Sequence, residues 1–291
     1  MLYPFSVSLY WSFCDYDLLS PPVWVGGKHY HRLAGEIVSG NGFGRALWNT
    51  FYYAGISVPF SIALGVGLAV MLSWRIRGQA FWRTLCFLPS VVPVVAAAIL
   101  WRWLLDPQDG PLNAALSVVG LPGPGWFHDY REAGWPPGWF NGQASFGSKD
   151  GLVLMALWGV GNFMVIYLAA LGDVPDRLHE AAALDGAGRW SRFWHVTIPT
   201  LSPVIFFNLI MGVIQSIQTF TQIYIVSEGT GEPERSTLVI SLHLFLSAFQ
   251  DLNMGYASAM AWIVFLVLAT VTVLLFRSAR YWVYYEGQME S

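Results

Sequence analysis

Residues 252–276 read LNMGYASAMAWIVFLVLATVTVLLF, 25 consecutive positions without Asp, Glu, Lys or Arg. At about 1.5 Å of rise per residue, such a run crosses a hydrocarbon layer of about 30 Å, for which about 20 apolar residues suffice. Four more uncharged runs lie at Ala46–Trp74, Thr84–Trp101, Gly151–Gly172 and about Leu201–Val226. Each predicts a transmembrane helix. Met1–Phe13 is apolar but too short to span, and is expected to be the outer half of a first span that begins upstream. Composition agrees: 55% of the 291 residues are hydrophobic and 11% charged, where soluble domains carry about a quarter. The net charge of −3 offers no basic footprint for nucleic acid.

Short cytoplasmic loops hold the excess of Lys and Arg. Arg75, Arg77 and Arg83 fall in 74–83, Arg177, Arg189 and Arg192 in 173–200, and Arg277 and Arg280 in the tail. The alternate segments 14–45, 106–150 and 227–251 are together longer and together hold fewer, so the first group is expected to be cytoplasmic. On this topology Cys14 and Cys86 lie too far apart to bridge. Residues 106–150 are dense in Pro and Gly and read as an irregular external cap without long regular elements. Trp126, Trp135 and Trp139 in it are expected to meet the headgroup layer or a protein partner. The apolar run from Ser236 to Gln250 is too short to span and reads as an interfacial or re-entrant helix. In the second span, Ser61, Gly65 and Ala69 stand four apart, a spacing that lets another helix approach closely.

The segment Asp173–Pro203, DVPDRLHEAAALDGAGRWSRFWHVTIPTLSP, is no ordinary linker. Asp173 suits an N-cap, with Pro175 and Asp176 in the first turn that follows. The run Ala181, Ala182 and Ala183 favours a helix that another surface can approach closely. Asp185, Gly186 and Gly188 predict its end after Leu184. A second helix is expected from near Arg189 into the fifth span.

EAAALDGAG followed by IP in TIPTLSP resembles the EAA motif of ABC importer permeases, at its usual place between the fourth and fifth of six spans. SFCDYDLL, VGGKHYHRL, RALWNTFYY, RGQAFWRTLCFLPSVVPVVAAAILWRWLLDP and LNMGYASAMAW resemble the maltose- or glycerophosphate-type sugar branch, so the likeness covers nearly the whole chain. It implies that Glu180, Ala181, Ala182, Asp185 and Gly186 belong to a coupling helix that docks in a groove of an ATPase subunit. It further implies as partners a second permease in a heterodimer, two ATPase subunits and an external solute-binding protein.

On a continuous helix of about 100° per residue, Asn208, Gln215, Thr219 and Gln222 of the fifth span fall on one stripe, with Gln218 at its margin. Such amides avoid lipid. They line either the translocation cavity or the contact with the second permease. Span four adds Trp158, Asn162 and Phe163. The resemblance carries a cavity-lining role onto Trp158, Asn162, Phe163, Gln218 and Thr219; Gln215 and Gln222 join them through the stripe. Rings and amides suit a neutral, sugar-like solute, and no charged residue deep in a span is placed to hold an ionic cargo.

No cofactor, metal site or catalytic residue is expected. Gly27-Lys28 lacks the rest of a phosphate-binding loop, His179-Glu180 lacks the second histidine of H-E-x-x-H, and there is no G-x-S-x-G. His29 and His31 read as surface histidines. The alternative function, an ion-coupled secondary transporter, calls for ionisable residues within the spans, and these runs have almost none. The expectation is therefore an all-α, polytopic membrane helical bundle of the ABC type-1 class, with about six spans, the first incomplete. Residues 1–45 would form the partial first helix and an external segment, 46–280 the permease domain and 281–291 a cytoplasmic tail, all in the cell (inner) membrane.

Overall fold

A computed structural model describes residues 2–74, 77–121, 123–128 and 147–284. The order is α1 (Leu2–Trp11), a two-residue antiparallel pair β1 (Cys14–Asp15) and β2 (Val23–Trp24), α2 (Lys28–Ser39), α3 (Gly42–Ser73), α4 (Gln79–Val91), α5 (Val94–Leu104) and α6 (Pro111–Val118). Then follow α7 (Ser148–Trp158), α8 (Gly161–Gly172), α9 (Asp176–Leu184), α10 (Arg189–Arg192), a π-helical turn Phe193–Thr197, α11 (Ile198–Ile217) and α12 (Thr221–Val226). The chain closes with α13 (Ile240–Phe245), a π turn Leu246–Gln250 and α14 (Met254–Trp282).

Among the described residues, three helices are long and apolar enough to cross a membrane: Gly42–Ser73, Arg189–Ile217 and Met254–Trp282. The pairs α4–α5 and α7–α8 pass the same test only when each pair is counted as one span. The five uncharged runs thus all become helical, but three expected single helices are broken, the third between Ile217 and Thr221 near the end of its run. In the first pair, Val92 is extended (φ −68°, ψ 129°) because it precedes Pro93, which disfavours helical geometry in its neighbour and caps α5. In the second, Gly159 and Val160 separate α7 from α8.

The chain divides into two compact units. Unit 1 takes residues 1–55, 93–155 and 215–270, and so collects every segment expected outside. Unit 2 takes 56–92, 156–214 and 271–291, collecting the expected cytoplasmic loops and tail.

In unit 1, α12 packs along α5, and α1 meets α14 through Phe5 against Trp262, with ring centroids 4.4 Å apart. Asn49, 2% exposed, donates its side-chain amide to the carbonyls of Arg235 and Leu238, each at 2.9 Å. The described part of 106–150 contains one short α-helix, α6, and the start of α7. Trp126 lies inside rather than at a headgroup layer: it is 4% exposed, and its Nε1–H donates to Asn113 Oδ1 at 2.7 Å. Trp135 and Trp139 lie outside the described residues. His29 is likewise buried, not a surface residue, with Nε2 3.0 Å from the Cys14 carbonyl. Cys14 and Cys86 are both free.

In unit 2, Val66, Ala69, Leu72, Met164, Tyr167 and Leu201 form one buried apolar cluster. The small-residue row of α3 explains it. A Cβ at Gly65 would come within 3.1 Å of Phe163 Cβ and 3.2 Å of Tyr167 Cε2, so the absence of a side chain lets α8 seat against α3.

Candidate coupling helix and solute path

α9 forms where expected but starts differently. Asp173 is helical at the end of α8 and does not cap α9; Pro175 (φ −64°, ψ 126°) takes the N-cap position and no side chain supplies a cap bond. Proline has no N–H to satisfy and its φ suits entry to a helix, so Asp176 becomes the first helical residue. The end matches the sequence. Gly186 sits at φ +81°, the Gly186 N–H donates to the Ala183 carbonyl at 3.1 Å, and the Ala187 N–H donates to the Ala182 carbonyl at 2.9 Å. These are the paired bonds of a Schellman C-cap.

The helix presents an exposed face that combines charge and apolar surface. Glu180, Ala181 and Ala183 are exposed and Leu184 is 90% exposed, while Ala182 is half-buried. Asp185 and Gly186 follow, also exposed. Glu180 forms no ion pair among the described residues. Past the turn, Trp190 is 72% and Trp194 50% exposed. The π turn Phe193–Thr197 ends two residues before Pro199, which has no N–H for the His195 carbonyl. The five residues expected to couple therefore lie within one capped helix and the turn that ends it, and Leu184 is exposed among them although the sequence reading passed over it. Its signal was an apolar residue ending an otherwise polar and small helix.

The solute-path candidates divide between the units. Trp158, Asn162 and Phe163 flank the α7–α8 break in unit 2. Asn162 is exposed and Trp158 half-buried, and Phe163 packs against Gly65 of α3. Gln215, Gln218, Thr219 and Gln222 lie in unit 1.

The single helical stripe is not observed. α11 ends at Ile217, and Gln218 to Phe220 are non-helical, with Phe220 at φ −134° and ψ −62° before α12 begins. A constant 100° per residue therefore does not carry across Gln218. Asn208 is 2% exposed and lies beside the Tyr167 hydroxyl inside unit 2, whereas Gln215 and Gln218 are exposed. Gln222 Nε2–H donates to the Tyr53 hydroxyl at 2.9 Å, and the Thr219 carbonyl accepts from the Ser241 hydroxyl. The break exposes amides at its N-terminal edge and ties down its C-terminal edge.

A polar cluster in unit 1 also went unread. The signal was present, because Arg32 and Glu36 stand four apart on a helix.

Comparison with known proteins places this arrangement. The profile of the family described as "Binding-protein-dependent transport system inner membrane component" matches residues 61–282. The chain is 38% identical to the "Probable ABC transporter permease protein YesP" of Bacillus subtilis (strain 168), over 99% of this chain and 87% of that protein. It is 34% identical to the "Lactose transport system permease protein LacF" of Rhizobium radiobacter, over 82% of this chain and 76% of that one. Its fold matches a chain of a bacterial ABC transporter involved in alginate import, with a TM-score of 0.75 and 24% identity, covering 96% of this chain and 90% of the other. With an ABC transporter fold, a family match across most of its length and membrane-length apolar helices, the chain belongs to the binding-protein-dependent transport system inner membrane components.

Proposed function

We propose that this chain is one permease subunit of an ATP-driven importer in the cell membrane, and that it forms half of the path for a neutral, sugar-like solute. The observation that carries the reading is α9: a short helix ended by a Schellman cap, exposing Glu180, Ala181, Ala183 and Leu184. An exposed apolar side chain such as Leu184 beside small residues and an uncommitted carboxylate suits a protein groove better than water. In this reading α9 seats against an ATPase subunit, and movement there passes into α8 and α11, to which short turns connect it. A second permease completes the path, a second ATPase serves it, and an external binding protein delivers solute. The chain itself performs no covalent chemistry.

The amides and rings at the helix breaks support the path. Helix interruptions within membrane proteins are tolerated where they line a cavity or are buried in protein. Gln215 and Gln218 meet the exposed break, and Trp158 and Asn162 flank the other. Amides paired with rings suit hydroxyls and C–H faces of a sugar, and a relative of this chain is named for lactose transport.

Glu180→Lys tests the coupling role. Reversing a charge in a close docking groove leaves it mispaired and desolvated, so the variant is expected to insert normally and lose its hold on the ATPase. Co-purification at wild-type stoichiometry, with wild-type solute-stimulated ATP hydrolysis, would refute this assignment.

A further inference from the structure

Unit 1 contains a cavity of about 480 Å³, within the range of about 300–1,000 Å³ common for ligand pockets, and the transport reading makes no use of it. Its walls come from α2, the turn before α13, α13 with its π turn, and the start of α14. Its chemistry is carried by Arg32, Glu36, Arg235, His243, Asp251 and Tyr256. By the distribution of Lys and Arg these segments lie on the side opposite the cytoplasm.

One wall is internally satisfied. Glu36 Oε1 accepts from Arg32 Nε–H at 2.9 Å, and its Oε2 accepts from the Tyr256 hydroxyl at 2.6 Å and the Phe43 N–H at 2.9 Å. The Arg32 guanidinium lies 4.3 Å above the centre of the Tyr256 ring. These bonds join α2 to α14 and set the cavity's shape before any ligand arrives.

The other wall is uncommitted. His243 Nε2 is buried and has no hydrogen-bond partner among the described residues, a state that costs stability unless something completes it. Arg235 and Asp251 form no ion pair among the described residues. Arg235 sits at φ +60° beside Glu234 at φ +46°, a conformation unfavourable without glycine and tolerated when the surroundings enforce it. The Asn49 amide supplies that enforcement by holding the Arg235 carbonyl. Available donors are the guanidinium of Arg235, the terminal nitrogens of Arg32, and His243 as the Nε2–H tautomer. Burial disfavours the charged imidazole, and Glu36, Arg235, Asp251 and Arg32 are the charged groups around it. Among the described lining residues Asp251 is the carboxylate outside an ion pair; the other acceptors beside these donors are the neutral groups of Asn41, Ser247 and Asn253, so two guanidiniums and an imidazole stand against one uncommitted negative charge.

We infer that this cavity is a socket for an acidic side chain of the external binding protein, whose carboxylate is gripped by Arg235 and His243. Dependence on a binding protein defines the family, that protein must dock on the external side, and a preformed donor-rich recess there offers an anchoring point with little ordering cost. The inference rests on the importer reading above.

The test titrates solute-loaded cognate binding protein against the assembled transporter in nanodiscs of fixed lipid composition and reads stimulated ATP hydrolysis. Arg235→Gln is expected to raise the half-saturating concentration about tenfold, the usual scale for losing a charge-assisted hydrogen bond. Asp251→Asn, which removes a like charge, is expected to lower it. High salt should narrow the difference between wild type and Arg235→Gln. Unchanged half-saturation in both variants overturns the socket, and so do reversed signs, which would mark a cationic partner. If Arg235→Gln instead weakens solute binding measured without the binding protein while half-saturation stays at wild type, the cavity holds solute and the inference is wrong. Wild-type transporter that is not stimulated at all would defeat the importer reading itself.

Discussion

Gly186 shows how one backbone conformation shapes the surface proposed for coupling. Its φ of +81° ends α9, and a Cβ there would meet no atom within 4 Å. Gly186→Val is therefore opposed by backbone conformation and not by crowding, at a cost of roughly 1–2 kcal/mol. The expected outcome is a frayed α9 and weaker ATPase retention on co-purification, while Gly186→Asn, which tolerates positive φ, retains most of it. Equal retention by valine and asparagine would remove the cap from the coupling surface.

Glu36 makes a second residue-scale prediction. Burial alone would raise its pKa, but the Tyr256 hydroxyl, the Phe43 N–H and Arg32 outweigh burial and hold it below the ordinary 4.5. A depressed carboxylate contributes stability above its unfolded pKa and loses it as pH falls through the folded value. Thermal stability should therefore decline as pH drops below about 4.5. Tyr256→Phe, which deletes a bond to a charged group, should cost about 1.5–3 kcal/mol at neutral pH. A variant whose stability and acid response both match wild type would contradict this.

At the scale of elements, the breaks matter more than the helices. All five uncharged runs were legible because length and absence of charge suffice to mark a span, and α9 was legible through its alanines and the glycine beyond them. The α4–α5 break at Pro93 was readable in principle from proline's effect on the preceding residue. The interruption at Gln218–Phe220 carries no proline or glycine and is set by tertiary partners, including the Gln222–Tyr53 and Thr219–Ser241 bonds, so periodicity ran straight through it. Asn208 thereby changed from a member of a polar stripe to a buried packing residue.

That division makes Gln218 and Trp158 the discriminating positions. Gln218→Leu should reduce uptake several-fold, since one hydrogen bond to a neutral partner is worth about 0.5–1.5 kcal/mol, and should leave permease pairing intact. Trp158→Ala should behave alike through lost ring contact with the solute. Dissociation of the pair, or normal uptake in both variants, would assign these residues to the permease contact instead.

For the whole molecule, charge and contact agree on one division: the segments poor in Lys and Arg fall in unit 1, and the arginine-bearing loops fall in unit 2 with α9 among them. The loops expected to face the motor share one compact unit, and the uncharged runs hold almost no ionisable side chain for coupling to an ion gradient. The decisive measurement is solute uptake by proteoliposomes containing the full complex, with binding protein outside and either ATP inside or an imposed proton or sodium gradient without ATP. Uptake that requires enclosed ATP and persists when ionophores dissipate the gradients is the predicted result; uptake driven by a gradient in the absence of ATP would contradict it.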